Sequence, residues 1–234
     1  MNITINTSTN CSKKPRNSGV IKFVIIHYTG MQSEIESIAR LKDKKFKVSC
    51  HYLINRKGQV FQMVNDNFTA WHAGKSKWKK FTNLNENSIG IELVNKGHKF
   101  GYQAYTKVQI KSLIDLCKYL KKKYKISNAN FLGHSDIAPL RKIDPGEKFP
   151  WKHLSRHNIG NWYSDKKKEL VINENAFFYN LYKIGYRYFD ISKRSLKDKM
   201  IIKSFQRRYV PNNVTGRIDK KTYKISHYLA SKSK

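Results

Sequence analysis

Apolar positions along this chain follow two rhythms, one of short unbroken runs and one of three-to-four spacing. Val20 to His27 (VIKFVIIH) is such a run; it predicts a strand buried on both faces, and Tyr28-Thr29-Gly30 ends it as a turn. Ser33 then stands as the N-cap of a helix reaching about Lys42, with Ile35, Ile38, Ala39 and Leu41 at helical spacing. Val48–Asn55 and Gln59–Val64 read as strands joined by the hairpin residues Arg56-Lys57-Gly58. A polar loop from Gly74 to Asn87 precedes another buried strand, Ser88–Val94. Thr106 to about Tyr124 carries Val108, Leu113, Leu116, Cys117 and Leu120 on one helical face, and Asn130–His134 is a short strand ending at a histidine. Strands alternating with helices make this portion an α/β domain.

Beyond about Asp165 the pattern turns purely helical. Leu196, Met200, Ile201 and Phe205 recur at helical spacing up to Tyr209, and Pro211–Gly216 is a loop. Asp219 followed by Thr222 starts a last helix through Tyr223 and Leu229. The expected division is a polar N-terminal segment (1–18), an α/β domain (19–164) and a separate small helical module (165–234).

Composition narrows the class. The 234 residues are 39% hydrophobic and 13% aromatic, enough for a packed core, which excludes a wholly disordered basic protein. Cys11, Cys50 and Cys117 are too few for a disulfide framework, and Cys117 reads as core. No apolar run approaches a membrane span, so no transmembrane segment is expected. The polar start lacks the apolar stretch of a secretory signal, which points to the cytoplasm, with the cell envelope or periplasm as the alternative. Lys+Arg 47 against Asp+Glu 16 leaves a formal charge of +31. Lysine clusters at 42–47, 75–80, 118–125 and 166–168 are a polyanion footprint or a solvated surface. No zinc finger, basic zipper or aromatic RNA-binding signature accompanies them, so no specific nucleic acid is expected as a partner.

Three polar residues stand where a buried strand meets a loop. His27 and His134 end strands, and Asp144 follows His134 by ten residues in GHSDIAPLRKIDPG. Two imidazoles and one carboxylate suit a zinc ion with a fourth position open for water, although each residue alone also reads as an ordinary strand end or Asp-Pro-Gly turn. Glu92 interrupts an apolar strand, and a buried carboxylate must be paired, metal-bound or protonated. Lys142, two residues before Asp144, falls near the same site or is one more surface lysine.

These residues sit in five ordered motifs: Val24–Thr29 (VIIHYT), Ser49–Leu53 (SCHYL), Ala70–Gly74 (AWHAG), Asn87–Leu93 (NSIGIEL) and Gly133 through Gly146. Together they resemble the zinc-dependent N-acetylmuramoyl-L-alanine amidases of the AmpD and phage-lysozyme type, AmiD branch. The resemblance implies a central mixed β-sheet flanked by helices and one zinc ion per chain on His27, His134 and Asp144. It implies Glu92 as catalytic acid/base and Lys142 as the cation that stabilises the oxyanion. The phage branch has a tyrosine where this chain has Cys50, which leaves the acid/base duty to Glu92. Trp71 and His72 are expected to line the substrate pocket; His51 either lines it too or is a structural strand residue. The implied substrate is peptidoglycan or muropeptide, the 1,6-anhydro form included, cut between N-acetylmuramic acid and L-alanine. The motifs Ser204–Tyr209 and Gly216–Asp219 resemble the peptidoglycan-binding module that follows the catalytic domain in that branch. The alternatives are a non-catalytic peptidoglycan-binding protein, a basic nucleic-acid-binding protein and a zinc peptidase.

Overall fold

The computed structural model describes residues 2–164 and 170–233; the lysine cluster at 166–168 and the boundary expected at 165 lie outside them. Ile3–Ile5 (β1), Phe23–Tyr28 (β2), Glu34–Lys42 (α1), Tyr52–Ile54 (β3) and Val60–Gln62 (β4) are followed by a small hairpin, Lys77–Trp78 (β5) and Phe81–Thr82 (β6). Ser88–Leu93 (β7), Lys107–Tyr124 (α2), Phe131–Gly133 (β8), His134–Ile137 (α3) and Trp151–Ser155 (α4) complete the first part. Three helices follow, Glu174–Ile184 (α5), Asp198–Tyr209 (α6) and Lys220–Ser231 (α7). Six strands form one mixed sheet in the order β1-β4-β3-β7-β2-β8, parallel except at β3–β4. The α/β class and the mixed sheet expected from the sequence are both present.

Alternation along the central strands explains their double burial. Val24 and Ile26 of β2 and Ile89, Ile91 and Leu93 of β7 pack with Ile110, Leu113, Leu116, Cys117 and Leu120 of α2. Phe23 and Ile25 point the other way, where with Leu132 they join Phe177, Phe178, Ile201 and Phe205 in a second cluster. The C-terminal helices thus cover the sheet's opposite face, and the core they enclose is shared with it. This differs from the separate module expected. Their motif residues have local tasks: buried Gln206 donates to the Arg217 carbonyl (2.8 Å) and accepts from the Gly216 N–H (2.8 Å), and Asp219 caps α7 at the Thr222 N–H (2.7 Å).

The polar start also enters the fold. β1 pairs in parallel with β4, Ile3 opposite Val60, and buried Ser8 and Asn10 bond to the Leu41 and Asp43 carbonyls. Other departures are local. Ile35, Val108 and Leu196 are 81%, 52% and 98% exposed, so none belongs to an inner face. Val108 lies in the first turn of α2, and Leu196 precedes α6 altogether. The polar loop at 74–87 contains the β5–β6 hairpin. Among the described residues no helix is long and apolar enough to cross a membrane.

Candidate active site

Parallel strands all present their carboxyl ends at one sheet edge, and β2, β7 and β8 bring their terminal residues together there. His27 lies opposite Glu92 in register. His134 opens α3 directly after β8. Asp144 arrives on the following loop, where Tyr102 and Tyr105 both donate their hydroxyls to the Pro145 carbonyl (2.6 and 2.7 Å). The outcome is a tight triangle: His27 Nδ1 is 2.9 Å from His134 Nδ1 and 3.0 Å from Asp144 Oδ2, and His134 Nδ1 is 3.1 Å from the same carboxylate oxygen. Among the described residues these three form a group able to hold a metal ion, and all are buried.

Proton bookkeeping around the triangle shows what it presents. Burial, with His27 and His51 beside it, holds His72 well below the ordinary histidine value; burial and His134 lower His27 to about 4. Both imidazoles are neutral at pH 7, with one N–H each. Ser88 has a single hydroxyl proton and gives it to the Leu84 carbonyl, so toward His72 Nε2 (3.2 Å) it accepts. His72 therefore carries its proton on Nε2 and offers a bare Nδ1 to His27 Nε2, 3.0 Å away. His27 must donate there, which leaves its own Nδ1 bare. His134 donates its Nε2–H to the Ala73 carbonyl (3.0 Å) and also turns Nδ1 inward. The Asp144 carboxylate oxygen Oδ2 is the third atom turned inward, an acceptor toward both nitrogens.

Three lone-pair donors thus face one another about 3 Å apart. They are mutually repulsive unless a cation sits among them, and N and O ligands about 2.0–2.2 Å from zinc can meet at one point across such separations. The donor set fits the metal.

Glu92 lines the same cleft, whose volume is about 370 Å³. Its Oε2 is sealed from solvent and has no hydrogen-bond partner. Burial and the charge of Asp144 raise it to about 8, against a partial lowering by Lys142. Lys142, Trp71 and His72 also line the cleft. His51 does not. It is fully buried, accepts from the Gly90 N–H (2.9 Å), lies 3.1 Å from the Phe68 carbonyl and has the Arg16 guanidinium at 2.9 Å, so of its two expected roles it takes the structural one. The AWHAG motif is likewise more than pocket wall: His72 orients His27, and the Ala73 carbonyl orients His134. Arg141 binds the Ala73 and Lys75 carbonyls and so ties this segment to the Asp144 loop.

Sequence reasoning passed over His98, at the rim. Its Nδ1 is 2.9 Å from the Tyr28 hydroxyl, its Nε2 3.1 Å from Glu147, and its ring stacks on Tyr102. It lies in the turn His98–Phe100 beyond β7, whose last residue is Leu93, so a rule that looks only at strand ends does not find it. Arg40 and Lys99 make the rim basic.

Fold and site together define a mixed-sheet domain with two imidazoles and a carboxylate placed where they could hold a metal ion, beside the unpartnered Oε2 of Glu92, at the carboxyl edge of its parallel strands. The family model for N-acetylmuramoyl-L-alanine amidase matches residues 17–147. AmiD of Escherichia coli K12, an N-acetylmuramoyl-L-alanine amidase, is 34% identical over 234 residues, 91% of this chain and 83% of that protein. Among solved structures, E. coli AmiD with anhydro-N-acetylmuramic acid-L-Ala-D-gamma-Glu-L-Lys aligns at TM-score 0.81 and 31% identity, covering 94% of this chain and 92% of that one. AmpDh3 of Pseudomonas aeruginosa with anhydromuramic pentapeptide aligns at TM-score 0.83 and 29% identity, covering 94% of each. The chain belongs to the N-acetylmuramoyl-L-alanine amidase family.

Proposed function

We propose that this protein hydrolyses the amide between the lactyl carbonyl of N-acetylmuramic acid and the L-alanine of the stem peptide, in peptidoglycan or muropeptides and with the 1,6-anhydro sugar accepted. The observation that carries this reading is the meeting of His27 Nδ1, His134 Nδ1 and Asp144 Oδ2 beside the unpartnered Oε2 of Glu92, in one cleft. His27, His134 and Asp144 would hold zinc, which when bound supplies a Lewis acid that polarises a carbonyl and acidifies water.

The chain's own residues do the rest. Glu92 Oε2 takes a proton from the attacking water, and the same oxygen returns it to the departing alanine nitrogen. A carboxyl raised toward neutrality exchanges protons in both directions at working pH. The Lys142 ammonium faces the cleft and stabilises the negative oxygen that develops on the carbonyl carbon. Trp71 forms part of the wall against which the substrate lies. The basic rim of Arg40 and Lys99 favours the carboxylates of a stem peptide.

Mass spectrometry of products from purified anhydro-muropeptide tests this. A peptide with a free L-alanine amino terminus, formed without chelator and absent with it, is the expected result. Intact muropeptide in both arms, with zinc bound in the chelator-free one, would leave a non-catalytic peptidoglycan-binding protein. Cleavage of sugar-free peptides at equal rate would mark a peptidase instead.

A further inference from the structure

The helix that carries His134 is held from outside. α3 is four residues long, and its internal bond runs from the Ala138 N–H to the His134 carbonyl (3.0 Å). One turn does not sustain itself in isolation. Its grip comes from α6 and from Tyr186, just beyond the end of α5. Asp136 Oδ2 accepts from the Gly133 N–H (2.8 Å) and from Arg208 Nη1 of α6, and its Oδ1 accepts from the Tyr186 hydroxyl (2.7 Å). Arg208 Nη2 donates in turn to the Phe131 carbonyl of β8 (3.0 Å), and its guanidinium lies 3.9 Å over the Trp151 ring. The ion pair is buried on both sides, Arg208 3% and Asp136 1% exposed. One turn earlier on α6, Ser204 donates its hydroxyl to the Ser135 carbonyl (2.7 Å), while the Ser135 N–H donates to the Asp144 carbonyl (2.8 Å).

We propose that Arg208 and Ser204 are positioning residues for the metal site: α6 fixes His134 through Asp136 and Asp144 through Ser135. Arg208 spans β8 and α3 at once, so it sets the angle at which the strand hands over to the histidine. Ser204 and Ser135 link α6 to the backbone of Asp144. Two corners of the triangle thereby take their positions from helices beyond residue 174, and the C-terminal region is part of the reaction centre as well as cover for the sheet. This rests on the reading of His27, His134 and Asp144 as zinc ligands.

The test uses full-length protein and zinc itself, titrated against a chromophoric chelator well below the melting temperature, with near-UV circular dichroism to count folded molecules. Arg208→Met is expected to bind zinc about ten-fold or more weakly per folded molecule, within the range seen when groups supporting metal ligands are lost. Ser204→Ala, which removes one hydroxyl and leaves the buried ion pair intact, is expected to weaken zinc several-fold with its fold retained. Wild-type zinc affinity in folded Ser204→Ala and Arg208→Met, whatever their melting temperatures, would overturn the proposal and leave α6 a purely structural support. Should Arg208→Met fail to fold, Ser204→Ala decides alone by the same criterion. A wild-type protein that takes up no zinc would overturn the ligand reading and this proposal with it. Zinc bound equally by wild type and variants overturns only the latter.

Discussion

Gly90 lies directly under the imidazole of His72: a Cβ built on Gly90 would stand 2.3 Å from His72 Cγ and 2.6 Å from its Nδ1. The backbone there is ordinary strand, so the glycine is required by space alone. Without a side chain at 90, the ring settles on the sheet between Ser88 and His27 and reaches both. Gly90→Ala is expected to push the ring off His27. Overpacking of this kind costs about 1–3 kcal/mol, to be read from urea unfolding of metal-free protein. Zinc affinity should fall with it, because His27 loses the partner that orients it. A Gly90→Ala protein with unchanged stability and zinc affinity would show that the ring is free to move.

Ser88 anchors the same relay from its far end. Its hydroxyl is committed to the Leu84 carbonyl, and that commitment fixes the proton on His72 Nε2 and in turn on His27 Nε2. In Ser88→Ala nothing holds the His72 proton in place. Asp144 Oδ2, 3.0 Å from His27 Nδ1, then draws the His27 proton to the inner nitrogen. Nitrogen-15 NMR of metal-free protein should find His27 protonated on Nε2 in the wild type and shifted toward Nδ1 in Ser88→Ala. Identical tautomers in the two proteins would remove Ser88 from the relay.

These relationships mark where the sequence was readable. His27 and His134 could be picked out because a polar residue at the end of an apolar strand is conspicuous, and parallel strands put such ends at one edge; Asp144 stood out only through its motif, in the Asp-Pro-Gly turn ten residues after His134. Glu92 was visible for a different reason, as a carboxylate interrupting an apolar strand. His72 was found as a motif residue of the pocket wall, which it does line, but its contact with His27 was not legible, because its partners Ser88 and Gly90 lie on the polar side of an alternating strand and meet it only after the 71–74 segment folds across. Arg208 and Asp136 are 72 residues apart, and in a chain with 47 basic residues nothing local distinguishes the one that is buried. β1 was missed because three residues, Ile3-Thr4-Ile5, give too short a pattern to stand out from a polar segment.

Glu92 and Lys142 divide the catalytic work differently from the metal ligands, and substitution should separate them. Glu92→Ala is expected to retain zinc and lose about 10²–10⁴ in kcat, the usual yield of a positioned acid/base. Lys142→Met should also retain zinc and lose about 10²–10³, the range for one oxyanion-stabilising group. His134→Ala should lose both zinc and turnover. Steady-state kinetics on soluble anhydro-muropeptide, with zinc content measured on each preparation, checks all three. Normal turnover in Glu92→Ala would assign the proton transfers elsewhere.

Glu92 also sets a pH dependence of stability in the metal-free protein. Its folded value, raised to about 8, lies above the ordinary glutamate value of 4.5, because burial and Asp144 disfavour the charge. Between these two values the folded chain holds a proton that the unfolded chain has released. The contribution of Glu92 is thus fully present below about pH 4.5 and is lost as pH rises through 8, at up to about 1.4 kcal/mol per pH unit. Buried His27 and His51, lowered to about 4 and about 3, work in the opposite sense below neutrality, as does His72. Only the difference between Glu92→Gln and wild type isolates the carboxyl. That difference, measured by urea unfolding in chelator, should be small at pH 4, grow in favour of the glutamine variant from pH 5 to 8, and level off above. A difference constant across that range would mean that Glu92 is solvated as an ordinary carboxylate, and its role as proton carrier at neutral pH would lose its physical basis.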